Sequence, residues 1–93
     1  MGKYIIQLSK RALKDLRTIK KSGRKLDMSK VQTFLQELED HPREGKGSPE
    51  QLKYHDGEIW SREVNKKDRF VYEIFEREVS VMLIQSLGHY NDK

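Results

Sequence analysis

The order of helical and strand-forming patterns predicts an α+β fold, β-α-α-β-β-β, with an N-terminal helical hairpin packed on a mainly antiparallel sheet. Helical periodicity fills the first half of the chain, and three runs rich in β-branched and aromatic residues fill the second. Between them, Gly45, Gly47 and Pro49 make a turn-rich loop within residues 44–53. Because 93 residues have room for one modest core, we expect a single domain over residues 1–93.

The first strand and helix have clear boundaries in the sequence. Residues 4–8 form a short apolar run that predicts a strand. Ser9 then offers an N-cap oxygen to the helix, and Gly23 suits the left-handed position that ends it. The apolar face of this helix consists of Ala12, Leu13, Leu16 and Ile19.

The second helix has the strongest periodic pattern in the chain. Its apolar residues recur at i, i+3, i+4 and i+7: Val31, Phe34, Leu35 and Leu38. Asp27 or Ser29 is expected to cap its N-terminus. Pro42 forces His41 away from helical angles and so ends the helix. The short connection between the helices predicts an antiparallel hairpin.

Three further strands are predicted, over residues 58–64, 69–75 and 79–87. Short polar turns join them, so we expect an antiparallel meander. Alternation within the first of them places Trp60, Arg62 and Val64 on one side. The last run is the most apolar and is therefore expected to be the central strand of the sheet.

Basic residues concentrate in the first helix. Residues 10–25 hold eight Lys or Arg and one acid, Asp15, in a chain of net charge +4. Such a face suits a phosphate backbone or an acidic partner, and a solvated helix face can have the same composition. The chain has no cysteine, which excludes disulfide and thiol chemistry. Without a membrane-spanning run or a signal-peptide pattern, we expect a cytoplasmic protein that does not engage a membrane.

Phosphate-loop and metal motifs are missing from the sequence. The Gly45-Lys46-Gly47 stretch lacks the GxxxxGK[ST] spacing of a nucleotide-binding loop. The histidines, at positions 41, 55 and 89, are scattered without the spacing of a metal site. We therefore expect neither a metal nor another cofactor.

Four stretches together resemble one known family: residues 44–53 (EGKGSPEQLK), 60–62 (WSR), 68–72 (DRFVY) and 89–90 (HY). The combination resembles the YoeB/Txe toxins of type II toxin–antitoxin systems, within the RelE/ParE superfamily. The resemblance implies a RelE-like fold and a ribosome-dependent endonuclease that cuts mRNA in the ribosomal A site and so inhibits translation. It also implies a cognate antitoxin that neutralises the toxin, and it leaves a homodimer open.

The resemblance also implies catalytic roles for four residues. Glu50 falls on the family's general base, Arg69 on its transition-state arginine, His89 on its general acid and Tyr90 on an aromatic that positions the substrate. These groups suit attack by the RNA's own 2′-hydroxyl, which leaves a 2′,3′-cyclic phosphate and a 5′-hydroxyl. A base takes the 2′ proton, an arginine meets the charge on the phosphate, and an acid protonates the departing oxygen. This reaction needs no metal.

Lys53 and Arg62 fall on positions that hold RNA in the family, and we expect Lys46, in the same loop, to contact RNA as well. Two departures stand beside them. Glu63 occupies a position that is usually arginine, which removes a phosphate contact. Asp68 occupies a position that is commonly histidine, where we expect it to compete for Arg69.

Three alternative functions remain open at the level of sequence. A ParE-like protein would poison DNA gyrase by binding, although ParE-type relatives generally lack the Glu/Arg/His set. A plain RNA-binding module would use the basic helix without cleavage, although the aromatic signatures of RNA-recognition sheets are absent. A catalytically weakened toxin relative would result if Glu63, Asp68 and the tail at residues 91–93 impair the site.

Overall fold

Two helices lie on one face of a five-stranded sheet in the computed structural model, which describes residues 3–53 and 56–88. The elements are β1 (Ile5–Leu8), α1 (Lys10–Ser22), α2 (Lys25–Asp40), β2 (Glu50–Gln51), β3 (Glu58–Glu63), β4 (Arg69–Phe75) and β5 (Ser80–Gln85). The predicted α+β class and the helical hairpin are confirmed. The observed order of elements has one strand more than predicted. This strand, β2, has two residues and lies inside the stretch that was predicted to be a loop.

The strand order across the sheet is β1-β5-β4-β3-β2. β1 runs parallel to β5, and the other neighbouring strands pair antiparallel, as the short turns predict. β5 is an interior strand, as predicted for the most apolar run, and β4 is the middle strand of the five. β5 lies between β1 and β4, where both of its edges are paired, and this accounts for its apolar sequence.

The helix boundaries test the capping predictions. The Ser9 hydroxyl accepts a hydrogen bond from the Ala12 N–H at 3.0 Å, and Gly23 has a φ of 73°, so both predicted ends of α1 are confirmed. α2 begins earlier than predicted, at Lys25, and has no side-chain cap. Asp27 therefore lies in the first turn, where its negative charge still favours the helix dipole. His41 leaves the helix at φ −135°, as expected before Pro42.

The main core lies between the helices and the sheet. Helix residues Ala12, Ile19, Val31, Phe34 and Leu38 pack on sheet residues Val64, Phe70, Tyr72, Ile74, Val81 and Leu83. The Phe34 and Phe70 rings meet edge to face, with centroids 5.2 Å apart. Leu13, predicted on the apolar face of α1, is 40% exposed and lies at its margin.

The opposite face of the sheet carries a smaller apolar cluster. It consists of Leu52, Ile59 and Val71, with Ile84 packed against them. We call this side the open face, because in the described part of the chain both helices pack on the other side. Neither described helix is long and apolar enough to cross a membrane.

Candidate functional site

Glu50 lies at the edge of the sheet rather than in a loop. It is the first residue of β2 and pairs with Ser61 of β3. Paired residues on neighbouring strands project to the same face, and Ser61 alternates with the buried, helix-facing Arg62. Glu50 is therefore on the open face, and it is exposed to solvent.

Arg69 lies on the same face, at the start of β4. It pairs with Glu63 of β3, two residues along from the Ser61 pair. Its Nη1 donates to the carbonyl oxygens of Asn65 at 2.8 Å and Asp68 at 3.3 Å, which orient a half-buried guanidinium. Although Glu63 and Arg69 are paired across the strands, they form no ion pair within residues 3–53 and 56–88. The charge of Arg69 is therefore not balanced by Glu63.

β3 lies between the strands of Glu50 and Arg69, and the two positions are offset by two residues along β3, from Ser61 to Glu63. With strands about 4.8 Å apart and about 3.4 Å per residue, their Cα atoms lie roughly 12 Å apart on the open face. Both side chains are long enough to reach toward a group placed between them. The arrangement can therefore bring a carboxylate and a guanidinium to opposite sides of one phosphodiester.

The chain returns to Arg69 at its C-terminal end. The Arg69 N–H donates to the Gly88 carbonyl at 3.0 Å, and the Gly88 N–H donates to Asp68 Oδ1 at 2.8 Å. The residue that precedes His89 in sequence thus lies beside the proposed transition-state arginine. His89 and Tyr90 themselves lie outside the described residues, so their roles stay predictions.

Arg62 requires a correction, because the structure places it in the interior rather than at an RNA surface. Its side chain is 0% exposed. The guanidinium pairs with Glu37, donates to the Tyr72 hydroxyl at 3.1 Å and donates to three loop carbonyls. Those carbonyls belong to His41 (3.1 Å), Glu44 (2.8 Å) and Lys46 (3.3 Å). Every donor group is engaged by protein, so Arg62 supports the loop instead of contacting RNA.

The loop that Arg62 holds leads directly into Glu50. Gly47 has a φ of 84°, and a Cβ there would lie 2.6 Å from Phe34. Gly45 likewise packs on Glu37, whose Oε1 accepts the Lys46 N–H at 3.0 Å. Glycine is needed at these two positions because the chain passes so close to α2 that a side chain would clash. The sequence does not single out Glu37, since it is one of several acids on α2 and nothing in the pattern marks a buried partner.

The two lysines expected to contact RNA are both exposed. Lys53 follows Leu52, whose N–H donates to the Ile59 carbonyl at 2.8 Å and anchors the end of β2. Lys46 borders a groove beside α2, which also contains Lys30 and Glu63. Their ammonium groups are available to a phosphate backbone on the site's border.

Asp68 has a different set of partners from the one expected. Its carboxylate accepts hydrogen bonds from Asn65 Nδ2 at 2.9 Å, from the Gly88 N–H at 2.8 Å and from Arg24 at 3.4 Å. These contacts tie the turn before β4 to the helices and to the C-terminal segment. The side chain is thereby used to join three parts of the chain.

Arg43 links the loop after α2 to the start of β3 and to the turn after β4. Arg43 donates to Glu58 and Glu76, at 2.6 and 2.8 Å. The hydrogen bond from Arg43 holds the pKa of Glu58 below its ordinary value. Burial raises the pKa of the Tyr72 hydroxyl, which donates to the Pro42 carbonyl at 2.6 Å. Both interactions secure the segment between α2 and β2.

The solvent-facing side of α1 is basic. Its one acid, Asp15, is turned inward and is 5% exposed. Lysines and arginines occupy the exposed positions 10, 14, 17, 20 and 21. The exposed surface of this helix therefore has no acidic side chain, and its stripe of positive charge suits phosphate groups.

Comparison with known proteins gives the family. The model of the YoeB-like toxin of bacterial type II toxin–antitoxin systems matches residues 8–90. The chain belongs to this family. The comparison with curated proteins gave no match. Within the described residues, no cluster of three or more His, Cys, Asp or Glu is arranged to hold a metal ion.

Solved structures of YoeB-like toxins share the fold along nearly the whole chain. The YoeB dimer from Staphylococcus aureus is 24% identical, with a TM-score of 0.79 over 96% of this chain and 100% of that one. A YoeB/ParE toxin from Agrobacterium tumefaciens gives 24% identity and a TM-score of 0.81, over 92% and 99%. A YoeB–YefM complex from Staphylococcus aureus gives 25% identity and 0.76, over 94% and 98%. The RelE-like architecture predicted from sequence is confirmed.

Proposed function

We propose that this YoeB-like toxin is a ribosome-dependent endoribonuclease that cuts mRNA in the A site by attack of the RNA 2′-hydroxyl. The observation that carries the proposal is the shared face of Glu50 and Arg69, with Gly88 bonded to Arg69 just before His89. Three elements far apart in sequence thereby supply a base, a cation and the attachment point of an acid to one surface.

The first step is proton removal from the 2′-hydroxyl. Glu50 is exposed at the sheet edge, where an RNA strand can reach it. As the 2′ oxygen attacks the adjacent phosphorus, the bond to the 5′ oxygen of the next nucleotide breaks. A positioned general base of this kind contributes about 10²–10⁴-fold to the rate.

Charge on the phosphate is the second requirement. The guanidinium of an arginine is a planar, positively charged fork that matches two phosphate oxygens, and Arg69 supplies it here. Its contacts to the Asn65 and Asp68 carbonyls orient the guanidinium before substrate arrives, so little reorganisation is needed as charge develops.

The departing 5′ oxygen needs a proton, and His89 is the proposed donor. An imidazole titrates near neutrality and can hold a proton for transfer at physiological pH. Tyr90 is proposed to position the substrate by stacking on a base, as aromatic side chains do in single-strand readers. Lys53 and Lys46 are proposed as phosphate contacts that guide the message at the border of the site.

The partners follow from the family and the charge distribution. The basic stripe of α1 is proposed to dock on ribosomal RNA, away from the chemistry. A cognate antitoxin is proposed to neutralise the toxin, since relatives include a YoeB–YefM complex. Self-association is proposed as well, because the Staphylococcus aureus relative is a YoeB dimer.

The test is primer extension on an mRNA in programmed bacterial ribosomes, with wild-type protein and Glu50→Gln. We expect a stop within the A-site codon for wild type and its loss in the variant. Glu44→Gln is the matched control, because this carboxylate is 77% exposed in the same loop and lies outside the site. Full-length message with folded, ribosome-bound wild type would overturn the proposal.

A second candidate is a toxin relative that binds the ribosome but cuts weakly. The observation that favours it is Glu63, which faces Arg69 directly across the β3–β4 pair. A carboxylate here opposes the approach of a phosphate to the arginine. Ribosome binding with little cleavage, restored by Glu63→Arg, would select this candidate.

A further inference from the structure

The last described residues of the chain, 86–88, are held in an unusual way. β5 ends at Gln85, so these residues have lost the regular ladder of the sheet. Their three consecutive N–H groups nevertheless all have carboxylate acceptors. Asp15 Oδ2 accepts from Ser86 at 3.1 Å and from Leu87 at 3.2 Å, and Asp68 Oδ1 accepts from Gly88 at 2.8 Å.

Two carbonyl groups of the same segment are also engaged. Arg11 Nη2 donates to the Leu87 carbonyl at 3.1 Å, and Gln85 Nε2 donates to the same oxygen at 3.0 Å. The Gly88 carbonyl accepts the Arg69 N–H at 3.0 Å. The segment is thus fixed on both its donor and its acceptor sides, by groups from α1, the turn before β4 and β4 itself.

We propose that Asp15 and Asp68 are positioning residues that fix the attachment point of His89 against Arg69. The proposal rests on the function proposed above. His89 follows Gly88 directly in sequence, so a restraint on Gly88 restrains the origin of the acid side chain. Catalytic groups must be held closely, since a displacement of about 1 Å can cost on the order of 10²-fold in rate.

Burial of Asp15 supports a dedicated use of this side chain. It is the only acid on α1 and is 5% exposed, while the helix around it is basic. A buried carboxylate is costly unless it is paired and hydrogen-bonded. Its partners are Arg11 and the backbone of residues 86 and 87, so its contacts lie on the segment that leads to His89.

The chemistry of the two oxygens separates a conservative variant from a disruptive one. Asp15 Oδ2 alone accepts both backbone N–H groups, while Oδ1 contacts only Arg11. Asparagine keeps one carbonyl oxygen for these N–H groups and for Arg11 Nε, and it loses only the 3.3 Å contact of Arg11 with Oδ1. We therefore expect Asp15→Asn to retain cleavage to within about threefold, whereas Asp15→Ala loses both bonds.

The experiment combines single-turnover cleavage at saturating toxin with ribosome affinity. For Asp15→Ala we expect the cleavage rate to fall on the order of 10- to 100-fold while ribosome affinity stays within about threefold. Asp68→Ala is expected to act in the same direction. Ile74→Val and Ile74→Ala, in the core at the opposite end of β4, are the controls for loss of stability alone.

Amide hydrogen exchange gives a readout that does not depend on activity. Asp15→Ala should reduce protection of the Ser86 and Leu87 amides, and Asp68→Ala that of the Gly88 amide, each by about tenfold or more. The Ile74 variants should lower protection across the core instead. Cleavage by Asp15→Ala equal to that of an Ile74 variant of the same melting temperature would overturn the proposal.

The outcomes also separate this proposal from the one on which it rests. If wild type cuts no message on the ribosome, the proposed function fails, and the exchange data still report whether the carboxylates fix residues 86–88. If wild type cuts and Asp15→Ala cuts equally well despite lost protection at residues 86 and 87, the function stands and the positioning role is wrong.

Discussion

Two arginines on neighbouring strands have opposite surroundings. Arg62 of β3 pairs in register with Phe70, one step from the pair that joins Glu63 to Arg69. Arg62 faces the helices and has all its donor groups bonded within the protein, whereas Arg69 faces the open side of the sheet and is half-buried. Strand alternation alone decides this difference, because successive residues point to opposite faces.

The comparison shows that residue type does not reveal role in this fold. Arg62 holds the loop that delivers Glu50 to the sheet edge, through three loop carbonyls and Glu37. Arg69 is oriented by two backbone carbonyls and remains available to a ligand. The first arginine should therefore matter to stability and the second to chemistry.

The largest effect on folding is expected for Arg62→Met. It leaves Glu37 and the carbonyls of the loop without their partner, which for a buried ion pair costs about 3–5 kcal/mol. Urea denaturation should show this loss in the free energy of unfolding. A loss of less than about 1 kcal/mol would contradict the structural role of Arg62.

Arg69→Ala should show the reverse pattern. We expect cleavage in programmed ribosomes to fall about 10²–10³-fold, the range found when one donor to a developing charge is removed. The free energy of unfolding should change by no more than about 1 kcal/mol, because the side chain packs at the border of the open face. Equal losses of stability in Arg62→Met and Arg69→Ala would contradict the division between a structural and a catalytic arginine.

Glu63→Arg changes the residue that follows Arg62 in β3 and pairs with Arg69 of β4. The side chain is exposed and shares the open face with Arg69, so the change replaces a charge that opposes phosphate by one that attracts it. We expect tighter ribosome binding or faster cleavage, by up to about tenfold at low salt. Glu63→Gln is the control that removes the acid without adding a cation. Weaker cleavage by the arginine variant would contradict this reading.

The smallest effect is expected for the partly exposed Arg43–Glu58 ion pair, which is less buried than the Arg62–Glu37 pair. Arg43 lowers the pKa of Glu58, so the pair stabilises the fold fully at pH values above 4.5, the ordinary pKa of a glutamate. This contribution is lost as the pH falls through the lowered pKa. The side chains are 41% and 27% exposed, so we expect about 1 kcal/mol or less. Urea midpoints of wild type and Glu58→Gln should converge as the pH falls below 4.5 and through the lowered pKa. A constant difference would contradict this.

Sequence reasoning found most of the fold and only part of the site. Ser9, Gly23 and Pro42 have local chemistry that determines helix ends, and these predictions were confirmed. The two residues of β2 carry no periodic pattern, since their strand character comes from pairing with β3. The start of α2 was misplaced because Arg24 caps it without a side-chain bond.

Arg62 illustrates why the site was harder to predict. Alternation correctly grouped it with Val64 on one side of β3, and Val64 is fully buried. The resemblance nevertheless implied an RNA contact, because Arg62 falls on a position that holds RNA in the family. Its buried partner Glu37 is 25 residues away, and a buried arginine is uncommon. The shared face of Glu50 and Arg69 follows from strand register, which the sequence does not reveal.

The proposed nucleophile on the open face is the 2′-hydroxyl of the A-site message. Two messages that differ by one oxygen test this chemistry: one has ribonucleotides throughout, and the other has a single 2′-deoxynucleotide at the cleavage position. We expect wild-type protein to cut the first in programmed ribosomes, leaving a 2′,3′-cyclic phosphate, and to leave the second intact. Equal cutting of both messages would contradict the proposed chemistry.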